Sequence, residues 1–549
     1  MSKQMPGAAS VVKSDSPRVT TQDARRMTSG WWLLPAILAA ALLLRLAFFT
    51  GYFGSDEVTY TEQALAIAQG SWKHSDYIGA VRLGISLPVG FLIWLLGRTE
   101  LVANLWALFC SLGEIALVFL LARRFWGERA AVLSSLVLTF TPLHAHYAGR
   151  LMADAPLGFF LSLSFFALFS GDRSGKPIHY LGAGLAAGFV WWIKSSVALV
   201  FIPVFALYLI RERRFHPKWL IMAAGFVTMV LLNGLVFLFM ENDFWKIYRL
   251  TISGVADYVQ GQSMTTDPAF YLRLLFLEIK HTWFLGPLAA AGLLLWLRHP
   301  GQDDGLTRVA LWGMGLVAAF SLFIVSFKPL LFITKQVNYS LVFMAPLALL
   351  AGYALSRLSP RLAILFALAV IIPLGTLGTA LEQQAIHSFV ANSKAALTFA
   401  GEHPGRDVFG MTNATRVSNY ARLFADSPAE VPRIEDINWL AGHTPSARPG
   451  QDASPYIAYA IFDRQTADWG RQGTYSRLDH LPRCWTRLGD LEPRGMGLGG
   501  RAVAALAAAS ALLPGNLGRN LSTRLDALAE PRPATVFGIG PDCPPTDPD

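Results

Sequence analysis

The feature that most constrains this chain is a succession of apolar runs, each close to bilayer length, separated by short basic loops. A helical span needs about 20 predominantly apolar residues. Runs of that kind fall at residues 31–50, 100–122, 129–147, 153–171, 179–193, 196–210, 219–240, 281–297, 308–326, 339–356 and 361–380. The stretch 179–210 carries Lys194 at its midpoint and reads as two short spans with the lysine at the turn. Backbone groups in hydrocarbon must be satisfied within each span, so the expected product is a bundle of membrane helices. Composition agrees, with 53% hydrophobic and 15% charged residues, where a soluble domain carries roughly 25% charged. The formal net charge is +9. Its arginines and lysines cluster between apolar runs, which fits membrane orientation better than a nucleic-acid surface.

Those clusters set the orientation. RRFWGER (123–129), GDRSGKP (171–177), RERRFHPK (211–218), RHPGQDDGLTR (298–308) and SRLSPR (356–361) should all face the cytoplasm, together with a polar tail at 1–30. This holds only if LGISLPVGFLIWLLG (Leu83–Gly97) does not cross. The stretch is short and contains Pro88, so it reads as a re-entrant or interfacial helix. The result is about eleven spans, with Asp56, Arg82, Asp154, Lys194 and Lys335 on the outer side.

From about Leu381 the long apolar runs stop and Gly, Pro, Asp and Arg rise. Residues 381–549 read as a small soluble α/β domain on the outer side, following a membrane domain at 31–380. RAVAALAAASALL (501–513) is too short to span. Cys110 reads as a core thiol; Cys484 and Cys543 can pair if their domain lies outside the cytoplasm.

Charges at the lipid boundary are the candidate chemistry. Asp56 and Glu57 in GYFGSDEVTY follow the first run, and Asp154 stands at the entry of a later one. Each also suits a helix N-terminus, where a carboxylate is worth about 0.3–1 kcal/mol. Arg82, Lys194 and Lys335 supply cations, with Lys328 beside the last, and a lysine at membrane depth is a functional candidate by default. Cations on the carboxylates' side suit a substrate with a phosphate and a reacting hydroxyl. No Cys/His cluster has zinc spacing, and no further ligands join the two carboxylates, so no metal or other cofactor is expected.

Four stretches, in order, resemble the polytopic GT-C glycosyltransferases, in the bacterial branch related to protein O-mannosyltransferases and the lipid A aminoarabinose transferase. They are DEVTYTEQALAIAQG, AVRLGISLPVGFLIWLLGRTE, GRLMADAPLGFFLSLSFFALF and GAGLAAGFVWWIKSS, within roughly residues 31–380. One departure is Asn338-Tyr339, where the family often has Arg-Tyr. The resemblance implies an all-α polytopic membrane domain of the GT-C fold, with interfacial helices in its first outer loop. It implies a multi-pass protein of the bacterial inner membrane, with a cytoplasmic N-terminus and a periplasmic C-terminal domain. The implied reaction moves a monosaccharide from a polyprenyl-phosphate donor to a hydroxyl of a lipid, glycan or protein, with inversion. Asp56 would be the base, Glu57 would orient its loop or assist, and Asp154 would bind the acceptor or share the base role. Arg82, Lys194 and Lys335 would neutralise the phosphate, with Tyr60 or Tyr339 as neutral donors. The rival readings are a transporter, a non-catalytic protein that binds lipid-linked sugar, and transfer of a whole oligosaccharide from a lipid diphosphate. A transporter would show paired repeats and mid-bilayer charges, and neither is evident.

Overall fold

Apolar runs of this length become helices in the computed structural model, which describes residues 31–212, 216–261, 265–327, 330–445, 455–467, 475, 477–493 and 497–543. The tail at 1–30, Lys328 and the last six residues lie outside the described residues. In chain order the helices are α1 (Leu33–Ala47), α2 (Asp56–Ala68), α3 (Leu83–Leu96), α4 (Glu100–Trp126), α5 (Glu128–Thr139), α6 (Pro142–Tyr147), α7 (Asp154–Ser174), α8 (Pro177–Glu212), α9 (Trp219–Glu241), α10 (Lys246–Gly261), α11 (Phe270–Phe276), α12 (Leu285–Arg298), α13 (Asp304–Leu322), α14 (Leu341–Ser356) and α15 (Pro360–Glu402). A short antiparallel hairpin, β1 (Ile324–Phe327) and β2 (Leu330–Phe332), links α13 to α14. Among the described residues, seven stretches are long and apolar enough to cross a membrane: α4, α7, the first part of α8 (Pro177–Ala198), α9, α13, α14 with its preceding turn, and α15.

The basic loops meet at one end of the bundle. Trp126 donates to Asp303, Arg129 to the Leu358 carbonyl, Arg211 to Asp304, Arg308 to Asp172 and Lys218 to the Gly175 carbonyl. Arg123 stacks on Trp31 just before α1 at the same end. The other end carries Thr50, Glu100, Arg150 and Gln383, joined by bonds such as Tyr52 N–H to Glu100 (2.9 Å) and Gln383 to the Phe49 carbonyl (2.8 Å). Residues 129–147, expected as one span, are instead divided between two helices, α5 and α6. Pro142 has no N–H and disfavours the α conformation at Thr141, which sits at φ −72°, ψ 116°.

Charge is also buried between the helices. Arg45 of α1 donates to Ser111 of α4 (3.0 Å) and to His144 Nδ1 of α6 (2.9 Å). His144 Nε2 lies 3.1 Å from Glu114 of α4, which also accepts from Ser162 of α7 (2.8 Å). Arginine only donates, so Nδ1 accepts and Nε2–H donates to Glu114. The group is neutral overall, because one guanidinium and one carboxylate flank an uncharged imidazole. It joins α1, α4, α6 and α7 through bonds that no lipid could supply.

The α/β unit follows without a break, since α15 runs through residue 380 and its outer part packs on a sheet. Its strands are β3 (Asp407–Gly410), β4 (Ile434–Asp436), β5 (Ala458–Phe462), β6 (Thr486–Leu491) and β7 (Ala534–Ile539), in the order β4-β3-β5-β7-β6. β3 is parallel to β4 and β5; β7 is antiparallel to β5 and β6. Helix α16 (Thr412–Phe424) leaves the end of β3 and lies against the bundle. Cys484 and Cys543 form a disulfide, and Cys110 is a free buried thiol.

Small residues let α8 and α9 touch. A Cβ on Gly184 would collide with the Met222 carbonyl oxygen, and one on Gly225 would lie 2.9 Å from the Leu181 carbonyl oxygen. Gly182 on the same helix has open space around it. Gly184→Val should therefore cost about 1–3 kcal/mol or more, lowering the thermal unfolding midpoint in detergent, while Gly182→Val leaves it nearly unchanged. Equal midpoints for the two variants would contradict this packing.

Candidate active site

The site starts from a loop that has to turn sharply between α1 and α2. Gly51 and Gly54 supply φ of +65° and +100°, a region that L side chains avoid. The loop's N–H groups have no ladder to join, so acidic side chains accept from them. Glu57 Oε1 takes Phe53 N–H (2.8 Å) and Gly54 N–H (3.3 Å), and its Oε2 takes Ser55 N–H (3.0 Å). Arg150, 3.8 Å away, balances this buried carboxylate and stacks on Phe53. Glu57 thus turns back into the loop and leaves Asp56, the first residue of α2, on the other side.

Asp56 is held by three groups. Tyr77 donates to Oδ1 (2.8 Å), while Tyr60 and Arg82 donate to Oδ2, each at 3.1 Å. Tyr60 lies one helical turn on, which is why it shares a face with Asp56. The Arg82 guanidinium also contacts the Tyr60 hydroxyl. Burial pushes the Asp56 carboxyl up, but Arg82, the Tyr77 and Tyr60 hydroxyls and the Lys194 charge outweigh it and hold it below the ordinary carboxylate value. The buried Nε of Arg82 has no partner among the described residues.

Lys194 interrupts α8. Its backbone is extended, at φ −159°, ψ 94°, inside what is otherwise continuous helix. Such a break at membrane depth is tolerated where it lines a cavity. Here the cavity is about 340 Å³, bounded by Arg82 and Ile78 before α3, Trp191 to Val197 of α8, Leu250 of α10, and Phe320 and Tyr339 around β1–β2. Its walls are mainly apolar, with Arg82 and Lys194 as its cations. Lys194 Nζ sits 3.8 Å from the Tyr339 ring and makes no hydrogen bond or ion pair among the described residues.

The structure thus brings together Asp56, Tyr60, Arg82, Lys194 and Tyr339. It sets three expected residues apart. Glu57 serves the loop. Asp154, at the start of α7, accepts from Asn338 (2.9 Å), and its buried Oδ1 has no partner among the described residues. Lys335 donates to the carbonyls of Thr266 (3.2 Å) and Ile333 (2.7 Å), and burial lowers its ammonium to about 8 despite Asp267 nearby. Asn338, the departure from Arg-Tyr, therefore has a partner in Asp154. Tyr77, Arg150 and Glu100 were missed by the sequence reading. Tyr77 lies in the polar loop SWKHSDYIG, which has no periodicity to mark it. Among the described residues no group of three or more His, Cys, Asp or Glu stands close enough to hold a metal ion.

With this geometry in place, comparisons with known proteins are informative. A family model described as dolichyl-phosphate-mannose-protein mannosyltransferase matches residues 87–237, which include Asp154 and Lys194. Undecaprenyl phosphate-alpha-4-amino-4-deoxy-L-arabinose arabinosyl transferase 1 of Pseudomonas fluorescens is 26% identical over 347 residues, which are 60% of this chain and 60% of that protein. The crystal structure of ArnT from Cupriavidus metallidurans bound to undecaprenyl phosphate superposes with a TM-score of 0.51 at 17% identity, covering 79% of this chain and 93% of that one. The apo Archaeoglobus fulgidus oligosaccharyltransferase superposes at 0.51 and 10% identity, covering 93% and 89%.

Glu57 is the residue on which this arrangement turns. In Glu57→Gln an amide N–H₂ would replace one acceptor and the charge facing Arg150 would vanish, a loss of about 1–3 kcal/mol. Amide exchange at Phe53 to Ser55 should rise and the unfolding midpoint should fall. Unchanged exchange would mean that the loop is held by other groups. Taken together, the fold resembles that of ArnT and of the archaeal oligosaccharyltransferase, and residues 87–237 are similar in sequence to the protein mannosyltransferase family, while the chain spans 60% of the length of the arabinosyl transferase it matches.

Proposed function

We propose that the protein is a glycosyltransferase that moves a monosaccharide from a polyprenyl-phosphate donor to a hydroxyl of a lipid, glycan or protein acceptor, with inversion. The observation that carries this reading is an ionised Asp56 paired with Arg82, which lines an apolar cavity whose other cation, Lys194, has no ion pair among the described residues. An apolar cavity with cations at its rim fits an isoprenoid chain ending in phosphate. The relatives support that choice: one is named for an undecaprenyl-phosphate sugar, and ArnT was crystallised with undecaprenyl phosphate.

Charge balance gives the mechanism its logic. A sugar phosphodiester carries one negative charge, so with Asp56 it balances Arg82 and Lys194. Asp56 accepts the acceptor's hydroxyl proton as the oxygen attacks the anomeric carbon, and the bond from that carbon to the phosphate oxygen breaks. Asp56 is then neutral, while the leaving lipid phosphate has gained a charge. Arg82, released from Asp56, turns to that phosphate through donors that include its unpartnered Nε. The site is neutral before and after, so no general acid is required. Asp154, with one open oxygen, would orient the acceptor, and Lys335 would secure the loop at Thr266 beside the cavity.

We also propose eleven crossings, an N-terminus in the cytoplasm, the α/β unit in the periplasm, and a division between the two units within α15. Contacts at both ends of the bundle support this. Both ends of α8 lie with the basic loops while Lys194 lies at the α/β end, which suits two crossings. Both ends of α3 lie at the α/β end: Arg82 meets Asp56, and Arg98 donates to the Ala425 carbonyl (2.7 Å). The Cys484–Cys543 disulfide suits an oxidising compartment.

The deciding experiment offers the purified protein a panel of polyprenyl-phosphate sugars. Asp56→Asn should lose about 10²–10⁴ in transfer rate yet bind undecaprenyl phosphate at least as tightly as wild type. Lys194→Met should weaken that binding with the fold intact. Transfer near the wild-type rate in Asp56→Asn would remove Asp56 as the base. A second test uses pH. Arg82 stabilises the ionised carboxylate, so Arg82→Gln should raise the Asp56 pKa and move the acid limb of the rate profile to higher pH. A limb that stays in place, or moves lower, would show that another group sets it.

A further inference from the structure

Helix α16 belongs to the α/β unit, yet its first turns lie on the loop that carries Asp56. Arg416 Nη1 donates to the Gly54 carbonyl (2.7 Å). Asn413, fully buried and donating to Ser393 (3.1 Å), fills the space where a side chain at Gly54 would stand. Tyr420, one turn beyond Arg416, packs on Tyr52 with ring centres 4.6 Å apart. At the other end of α16, Arg98 donates to the carbonyls of Leu423 and Ala425. Arg98 lies two residues before Glu100, the acceptor for Tyr52 N–H (2.9 Å). The helix is thus tied at both ends to the segments that bracket the site.

Glu57 and Glu100 hold the N–H groups of Tyr52 to Ser55, and Arg416 holds the carbonyl side of the peptide whose N–H, on Ser55, Glu57 accepts. Glycine at φ +100° has no side chain to limit rotation of that peptide, so its orientation depends on these bonds, and Asp56 lies two residues on. From this geometry we infer that Arg416 is a positioning residue for the proposed transfer: by holding the Gly54 carbonyl it fixes the direction in which Asp56 leaves the loop. The α/β unit is then part of the active site and not an appended module. The inference rests on Asp56 being the base, as proposed above, although the clamp itself can be tested without any reaction.

The test uses the full chain in nanodiscs of phosphatidylethanolamine and phosphatidylglycerol. Arg416→Met should raise amide exchange at Phe53 to Ser55 by about tenfold or more. It should lower kcat by about 10–100-fold, with the affinity for undecaprenyl phosphate within about twofold of wild type. Arg416→Lys keeps one donor and should recover part of kcat, and it serves as the main variant if Arg416→Met does not fold. A merely structural role would give a kcat loss matching the loss of folded protein, with no recovery by lysine, and would overturn the inference. So would loop exchange equal to wild type in Arg416→Met. If the wild-type protein transferred no sugar from any donor, the functional reading would fail, while exchange would still decide whether Arg416 holds the loop.

Discussion

The buried carboxylate of Glu57 is the interaction on which the α/β end of this molecule depends. A loop with two glycines at positive φ has no regular hydrogen-bond ladder, and its N–H groups point inward. Left unpaired, each would cost about 1–3 kcal/mol. Glu57 accepts from three of them, and Arg150 offsets the charge that this requires. The neighbouring carboxylate is then free to pair with Arg82, which lines the cavity. Two adjacent acidic residues thus serve different partners, Glu57 the loop's N–H groups and Asp56 the Arg82 guanidinium, because consecutive helical positions point about 100° apart.

The same rule of complete polar satisfaction operates deeper in the bundle. Arg45, His144 and Glu114 are almost fully buried, and any one of them alone would be costly in hydrocarbon. Joined through Ser111 and Ser162, they leave no net charge and fix α6 against α1, α4 and α7. Helix α6 then delivers His146 to Thr50 (3.0 Å) and leads to Arg150, the partner of Glu57. A buried ion pair is often no more stabilising than well-packed apolar residues. Here its contribution is register: it sets where the segment 142–150 sits along the first helix.

At the site the balance is deliberately incomplete. Arg82 is paired with Asp56, but Lys194 sits over the face of Tyr339 with no ion pair among the described residues, and a cation over an aromatic ring is stabilised less than one beside an anion. The surplus positive charge at the rim of an apolar cavity is what a lipid phosphate would neutralise. The break in α8 that places Lys194 there also frees backbone groups at membrane depth, which only a cavity-lining position tolerates.

The sequence by itself determined the bundle, the side on which the charges gather, and the pairing of Asp56 with Tyr60. Each of these follows from spacing along one helix or from the lengths of apolar runs, and both are local properties. The break at Lys194 was legible for the same reason, since a lysine cannot sit unpaired at the middle of a span. Only the tertiary structure decided that Tyr77, Arg150 and Arg416 serve the same loop. They stand 21 residues or more from Asp56 and come from three different segments. No periodicity connects them, because they act across packed surfaces, on a backbone carbonyl or on the charge of a distant side chain. The placing of Asp154 beside Asn338, 184 residues away, was hidden for the same reason. Helical periodicity reports which face a residue shares with its neighbours, and it carries no information about which distant segment that face will meet.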